Sequence, residues 1–137
     1  MRELSITGAI KLIEEAKLAS EHSYSPYSQF IVGAAVQTED GTIFRGTNVE
    51  NTSYGLTICA ERAALINAVS AGHKQIVALA VYAPVDSISP CGACRQFITE
   101  FGKDVVVIFK QDQKIIQRQI SELLPFRFEM PPDAPLM

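Results

Sequence analysis

The chain is poor in several residue types on which common functions depend. Twelve lysines and arginines stand against fifteen aspartates and glutamates, a net charge of −3. There is thus no basic patch of the kind that a nucleic-acid polymer requires, and a small substrate is expected instead. Three cysteines cannot form an even disulfide framework, which fits a reducing compartment and a cytoplasmic location. The only histidines, His22 and His73, fall at the end of the first helical stretch and just past a glycine helix stop. Both read as solvated helix-end residues rather than metal ligands. No apolar run reaches membrane-spanning length, and Met1-Arg2-Glu3-Leu4 lacks the apolar stretch of a signal peptide, so no membrane association is expected. Internal repeats and low-complexity tracts are also missing. With 137 residues, 47% apolar and 20% charged, the chain reads as one domain over residues 1–137 that can bury a full core.

The three cysteines share one pattern: Cys59-Ala60-Glu61, then Pro90-Cys91-Gly92-Ala93-Cys94. Cys91 and Cys94 sit one helical turn apart at a helix start, where Pro90 is well tolerated. Cys59 opens a second helical run that ends near Gly72. Three thiolates at two helix amino ends are favoured in their ionised form by the helix dipoles. Together they offer a zinc ion three ligands and leave the fourth tetrahedral position to water, the arrangement of a catalytic rather than a structural site. Glu61 is placed to handle that water's proton, and the set points to hydrolysis. Three thiolates on a divalent ion leave one negative charge in excess. Arg62 or Arg95 could donate hydrogen bonds to a ligand sulfur, and Arg62 is favoured. A cysteine pair of this spacing also occurs as a redox motif, but such a motif needs neither Cys59 nor Glu61. A purely structural zinc site would want a fourth protein ligand.

The remaining pattern is α/β. Residues 5–21 carry a helical apolar stripe. A strand is expected from Phe30 to Thr38 and another from Thr42 towards Val49, joined at Glu39-Asp40-Gly41 in a hairpin. Ile76–Tyr82 and Val105–Phe109 read as buried strands, with the amphipathic stretch Cys94–Phe101 between them as a helix. Lys114–Ile120 reads as a weaker strand, and Ser121–Pro125 as a turn. Strand-helix-strand order calls for a right-handed crossover, giving a mixed sheet with helices on both faces. Asn48 and Glu50 alternate along a strand end and share a face. The proline-rich end, Pro131-Pro132-Asp133-Ala134-Pro135, reads as an extended, partly disordered tail.

With these residues in place, the chain resembles the cytidine deaminases of the small, all-cysteine zinc type. The likeness runs from Tyr24-Ser25-Pro26-Tyr27-Ser28 to Leu123-Leu124-Pro125. It is carried by Phe30-Ile31-Val32-Gly33-Ala34-Ala35, Asn48-Val49-Glu50-Asn51, Cys59-Ala60-Glu61-Arg62 and Pro90-Cys91-Gly92-Ala93-Cys94-Arg95-Gln96-Phe97. The resemblance implies a three-layer α/β/α fold with a mixed, roughly five-stranded sheet, and one Zn2+ per chain on Cys59, Cys91 and Cys94. It implies hydrolytic deamination of cytidine and 2′-deoxycytidine in pyrimidine salvage. In it zinc-bound hydroxide attacks C4, and Glu61 takes the water's proton, delivers it to N3 and, in a later proton transfer, protonates the departing ammonia. By the same resemblance Asn48 and Glu50 hold the ribose, Phe30 packs on the pyrimidine, and the Ala60 N–H meets the base carbonyl. A homotetramer with shared active sites is implied, in which Tyr54 and Phe128 serve neighbouring subunits; Phe126 competes with Phe128 for that role. Related all-cysteine enzymes deaminate blasticidin S, and the zinc residues do not separate the two activities. Polynucleotide editing fits the acidic chain poorly. A non-catalytic zinc module would have no need of Glu61.

Overall fold

Ser5 begins the first element: its hydroxyl accepts from the Gly8 N–H at 3.0 Å and caps α1 (Ile6–Ser20). The Asp40-Gly41 turn, with Gly41 at φ 90°, closes the expected hairpin of β1 (Gly33–Thr38) and β2 (Ile43–Thr47). A 3-10 turn at Tyr54–Leu56 leads into α2 (Ala60–Ser70), followed by β3 (Ile76–Tyr82) and α3 (Gly92–Thr99). The chain continues through β4 (Val106–Gln111), β5 (Lys114–Gln119) and the one-turn helix α4 (Ile120–Leu123). This computed structural model describes residues 3–133. Met1, Arg2 and the end of the tail from Ala134 onward lie outside the described residues.

The five strands form one mixed sheet in the order β2-β1-β3-β4-β5. Only β3 and β4 run parallel, with α3 as their crossover; the other neighbours are antiparallel. Side chains alternate between two cores, as strand geometry requires. Ala35, Ala78, Ala80, Val106 and Ile108 face α1, where Ala9, Leu12, Ile13 and Ala16 are buried. Ala34, Val36, Leu79, Val81 and Val107 face the other way, against α2, α3 and Ile120. The expected three-layer α/β/α architecture is therefore present.

Small residues bring the helices close to the sheet. A Cβ on Gly33 would lie 1.9 Å from the Ala16 carbonyl oxygen of α1, and one on Gly46 would lie 2.2 Å from the Ala64 nitrogen of α2. On its sheet-facing side α2 buries Ala60, Ala64 and Ala68, which suits that close approach.

Several element boundaries differ from expectation, and the second strand ends at Thr47, short of Asn48 and Val49. The first strand begins at Gly33, not Phe30, because the Asn48 side chain bonds the Phe30 carbonyl and the Val32 N–H and takes the place of a strand ladder. The second cysteine helix stops at Thr99, so Phe101 lies beyond it; Ile98 is its fully buried apolar residue and Phe97 is half-exposed. The expected turn after β5 is the helical turn α4, closed by a capping box in which the Glu122 side chain accepts from the Gln119 N–H at 3.0 Å.

Candidate active site

Cys59 and Cys91 are the N-cap residues of α2 and α3, and Cys94 lies in the first turn of α3. Both helices start on the same side of the sheet, and the three sulfur atoms lie within 4.8 Å of one another. All three cysteines are free of disulfides. The Cys94 thiol, acting as hydrogen-bond donor, holds Cys59 down to about 5, helped by Arg62 and against the effect of burial. The interaction with Cys59 and burial push Cys94 the other way, above its ordinary value. Three sulfurs so close together are a donor set suited to zinc.

Arg62 Nη2 lies 3.5 Å from Cys59 Sγ. Arg95 turns away: it donates to the Pro90 carbonyl at 2.8 Å, the Leu123 carbonyl at 2.9 Å and Ser89 Oγ at 3.3 Å. The structure thus puts the favoured Arg62, and not Arg95, beside the Cys59 sulfur.

Glu61, the second residue of α2, is 4% exposed. Burial pushes its carboxyl up to about 7, with the Cys59 charge acting in the same sense and its own backbone hydrogen bond, Cys94 and Arg62 opposing. A carboxyl poised near neutrality can both accept and return a proton. Together with Cys59 and Cys91 it lines a cavity of about 250 Å³, whose walls include Phe30, Asn48, Ala60 and Ile88. As the first residue of α2, Ala60 has an N–H with no intrahelical acceptor.

A second hollow, of about 350 Å³, is lined by Tyr27, Ser28, Glu50, Tyr54 and Thr57. Thr57 also lines the first, so the two adjoin. Among the described residues, no lysine or arginine lines either one. Asn48, 8% exposed, is largely committed to the protein. Its Oδ1 accepts from Val32 N–H and Ser23 Oγ, and its Nδ2 donates to the Phe30 carbonyl at 2.7 Å, leaving one amide hydrogen free. Glu50 bonds the turn at Tyr27 and Ser28. The two strand-end residues thus divide between adjoining hollows instead of converging on one.

Tyr54 is 76% exposed, with its ring centroid 6.2 Å from that of Tyr27. Phe128 is 71% exposed, and Phe126 is fully exposed at φ 56°. Neither phenylalanine lines a hollow that contains a cysteine or Glu50. Ser28, Thr57 and Ile88 escaped sequence reasoning. Of these only Ser28 lies inside a family-like motif, Tyr24-Ser25-Pro26-Tyr27-Ser28; Ile88 reaches the cavity from a loop with no local signal.

With this geometry in view, comparison with known proteins is decisive. The profile of the cytidine and deoxycytidylate deaminase zinc-binding region matches residues 7–110. The chain belongs to this deaminase family. It is 48% identical over 121 residues to the cytidine deaminase of Sporosarcina psychrophila, a match covering 86% of this chain and 89% of the relative. A cytidine deaminase from Halalkalibacterium halodurans is 50% identical over 120 residues, covering 85% and 91%. Among solved structures, the cytidine deaminase of Burkholderia pseudomallei superposes with a TM-score of 0.82 at 43% identity, covering 91% of this chain and all of that one. A blasticidin-S deaminase from Bacillus cereus is also similar, at 33% identity over 106 residues, covering 71% of this chain and 76% of the relative. The deaminase is zinc-dependent, and its three-cysteine cluster fits a single ion.

Proposed function

We propose that this deaminase, acting through a single catalytic domain, converts cytidine and 2′-deoxycytidine to the corresponding uridines and ammonia, a pyrimidine-salvage activity of the cytoplasm. The observation that carries the reading is the presence of Cys59, Cys91 and the buried Glu61 on the wall of one small cavity.

Cys59, Cys91 and Cys94 would hold zinc, which would supply the Lewis acidity that makes water a nucleophile near neutral pH. Glu61 takes one proton from the water that adds to C4 and passes it to ring N3; it then takes the second proton, from the new C4 hydroxyl, and gives it to the departing amino group. Cytidine plus water thereby gives uridine plus ammonia. Phe30 packs on the pyrimidine, and the unpaired Ala60 N–H donates to the base carbonyl. The remaining Asn48 amide hydrogen and the Glu50 carboxylate hold the ribose. Arg62 offsets the excess negative charge of the sulfurs. The Glu50 carboxylate, beside hollows that no described lysine or arginine lines, disfavours a 5′-phosphate, which supports a nucleoside over a nucleotide as substrate.

The assembly is a homotetramer with shared sites, in which Tyr54 and one of Phe126 and Phe128 reach a neighbouring subunit. The exposure of these aromatics, together with Tyr24, Tyr27 and Leu56, supports that arrangement. Size-exclusion chromatography with light scattering tests it, and a fully active monomer would contradict it.

The substrate test is a steady-state comparison of cytidine, 2′-deoxycytidine, cytidine 5′-monophosphate and blasticidin S. Rapid turnover of both nucleosides, with little of the monophosphate, is expected. Preference for blasticidin S would replace this reading with antibiotic deamination, and preference for the monophosphate would refute the electrostatic argument.

A further inference from the structure

Glu50 is held by the turn that precedes Phe30. Its Oε1 accepts from the Tyr27 N–H at 3.0 Å and the Ser28 N–H at 3.1 Å, and its Oε2 accepts from the Ser28 hydroxyl. Ser28 Oγ in turn accepts from the Phe30 N–H at 3.0 Å. The direction of this chain is fixed by chemistry. A backbone N–H can only donate and an ionised carboxylate can only accept, so the single serine proton points at Glu50. The bonds from Ser28, together with that from Tyr27, hold Glu50 below the ordinary carboxylate range, which keeps it an acceptor.

A carboxylate offers about four acceptor sites. Two on Oε1 and one on Oε2 are used within the protein, so one remains, on Oε2. Among the described residues the hollow beside it has no basic lining residue to occupy that site. The free acceptor site can therefore take a hydroxyl donor from a ligand in the hollow. The turn has little freedom to relax. Gln29 lies in the left-handed region at φ 59°, and its N–H is bound to the Ser25 carbonyl at 2.9 Å.

We propose that Ser28 is a positioning residue: its hydroxyl aims the free acceptor site of Glu50 at the 3′-hydroxyl of the substrate and ties that carboxylate to Phe30 at the base wall. The inference rests on the reading of Glu50 as the ribose-binding group. A chain Phe30 N–H to Ser28 to Glu50 joins the two hollows through hydrogen bonds, so ribose recognition and base placement are set by the same turn.

The test measures kcat and KM for cytidine and for 3′-deoxycytidine, which lacks the hydroxyl in question, in the wild type, Ser28→Ala, Ser28→Thr, Glu50→Ala and the double variant Ser28→Ala/Glu50→Ala. Zinc content and Tm are recorded for each. In Ser28→Ala, KM for cytidine is expected to rise about tenfold, while KM for 3′-deoxycytidine moves less than about twofold. Ser28→Thr, which keeps the hydroxyl, retains the discrimination. The double variant is no worse than Glu50→Ala alone, because the two groups act as one unit. If Ser28→Ala raises KM equally for both substrates, or leaves cytidine unaffected while Glu50→Ala impairs it, the role given to Ser28 is wrong. If Glu50→Ala itself leaves the preference for the 3′-hydroxyl intact, the ribose reading fails and takes this inference with it.

Discussion

Gly46→Ala links the fold to the chemistry and allows a worked magnitude. A Cβ at this position would lie 2.2 Å from the Ala64 nitrogen, 2.7 Å from the Ala60 carbonyl oxygen and 2.7 Å from Ala64 Cα. All three are backbone atoms of α2, so no side chain can swing aside. Restoring an ordinary contact of 3.4 Å from 2.2 Å requires α2 to retreat from β2 by about 1.2 Å. Overpacking of this kind costs about 3 kcal/mol, the upper end of the usual range, because the helix must move as a body. For a chain of this length that lowers Tm by about 10 °C. The catalytic consequence is separable from the thermal one. Cys59 caps α2 and Glu61 is in its first turn, whereas Cys91 and Cys94 belong to α3. Displacing one helix by about 1 Å therefore spoils the sulfur cluster and moves Glu61, the proposed proton carrier, with it, and a misplacement of that size costs about a hundredfold in rate. Differential scanning calorimetry and ultraviolet assay of cytidine loss well below Tm give the two readouts. A variant with wild-type Tm and wild-type kcat/KM would refute the argument that α2 is pressed directly against the sheet at Gly46.

Further outcomes follow from the same geometry. Arg62→Gln removes the donor 3.5 Å from Cys59 Sγ and is expected to weaken zinc affinity or turnover about tenfold to a hundredfold, read by competition with a chromogenic chelator. Prolonged chelation should lower Tm, with recovery on adding zinc, because an ion that binds the folded cluster stabilises the fold; an unchanged Tm would argue against metal binding. Asp40 is held at about 2, below its ordinary 3.8, mainly by the Thr38 hydroxyl and then by Thr42. A depressed carboxylate contributes stability that is fully present above pH 3.8 and lost as pH falls towards 2. Asp40→Asn should flatten the dependence of Tm on pH in that window relative to the wild type.

Much of this architecture was legible in local pattern. The hairpin turn at Asp40-Gly41, the apolar run Ile76–Tyr82 and the helix after Cys59 each carry their signal within a few residues. The cysteine spacing also announced the metal cluster, because two helix starts that present three sulfurs have few other uses. What escaped depended on contacts between distant segments. Phe30 looked like the start of a strand, since nothing local reveals that the amide of Asn48, eighteen residues on, takes over its backbone bonds. Gln119 is not a usual cap, so the helical turn at Ile120–Leu123 gave little warning. Arg62 was already favoured over Arg95, although each directly follows a residue of a cysteine motif, and its contact with Cys59 agrees. Ser28 ends the Tyr24–Ser28 motif, but its bond to Glu50 spans twenty-two residues and leaves no local signal.

The most direct test of the account is the turnover of zinc-loaded Glu61→Gln with cytidine, measured beside its zinc stoichiometry. Glutamine preserves the size of the side chain but cannot carry the proton. The expected result is one zinc per chain, with turnover reduced by a factor on the order of a thousand, within the usual contribution of a general acid–base. Near-normal turnover in a variant that holds its zinc would contradict the assignment of Glu61 as the proton carrier, and with it the proposed mechanism.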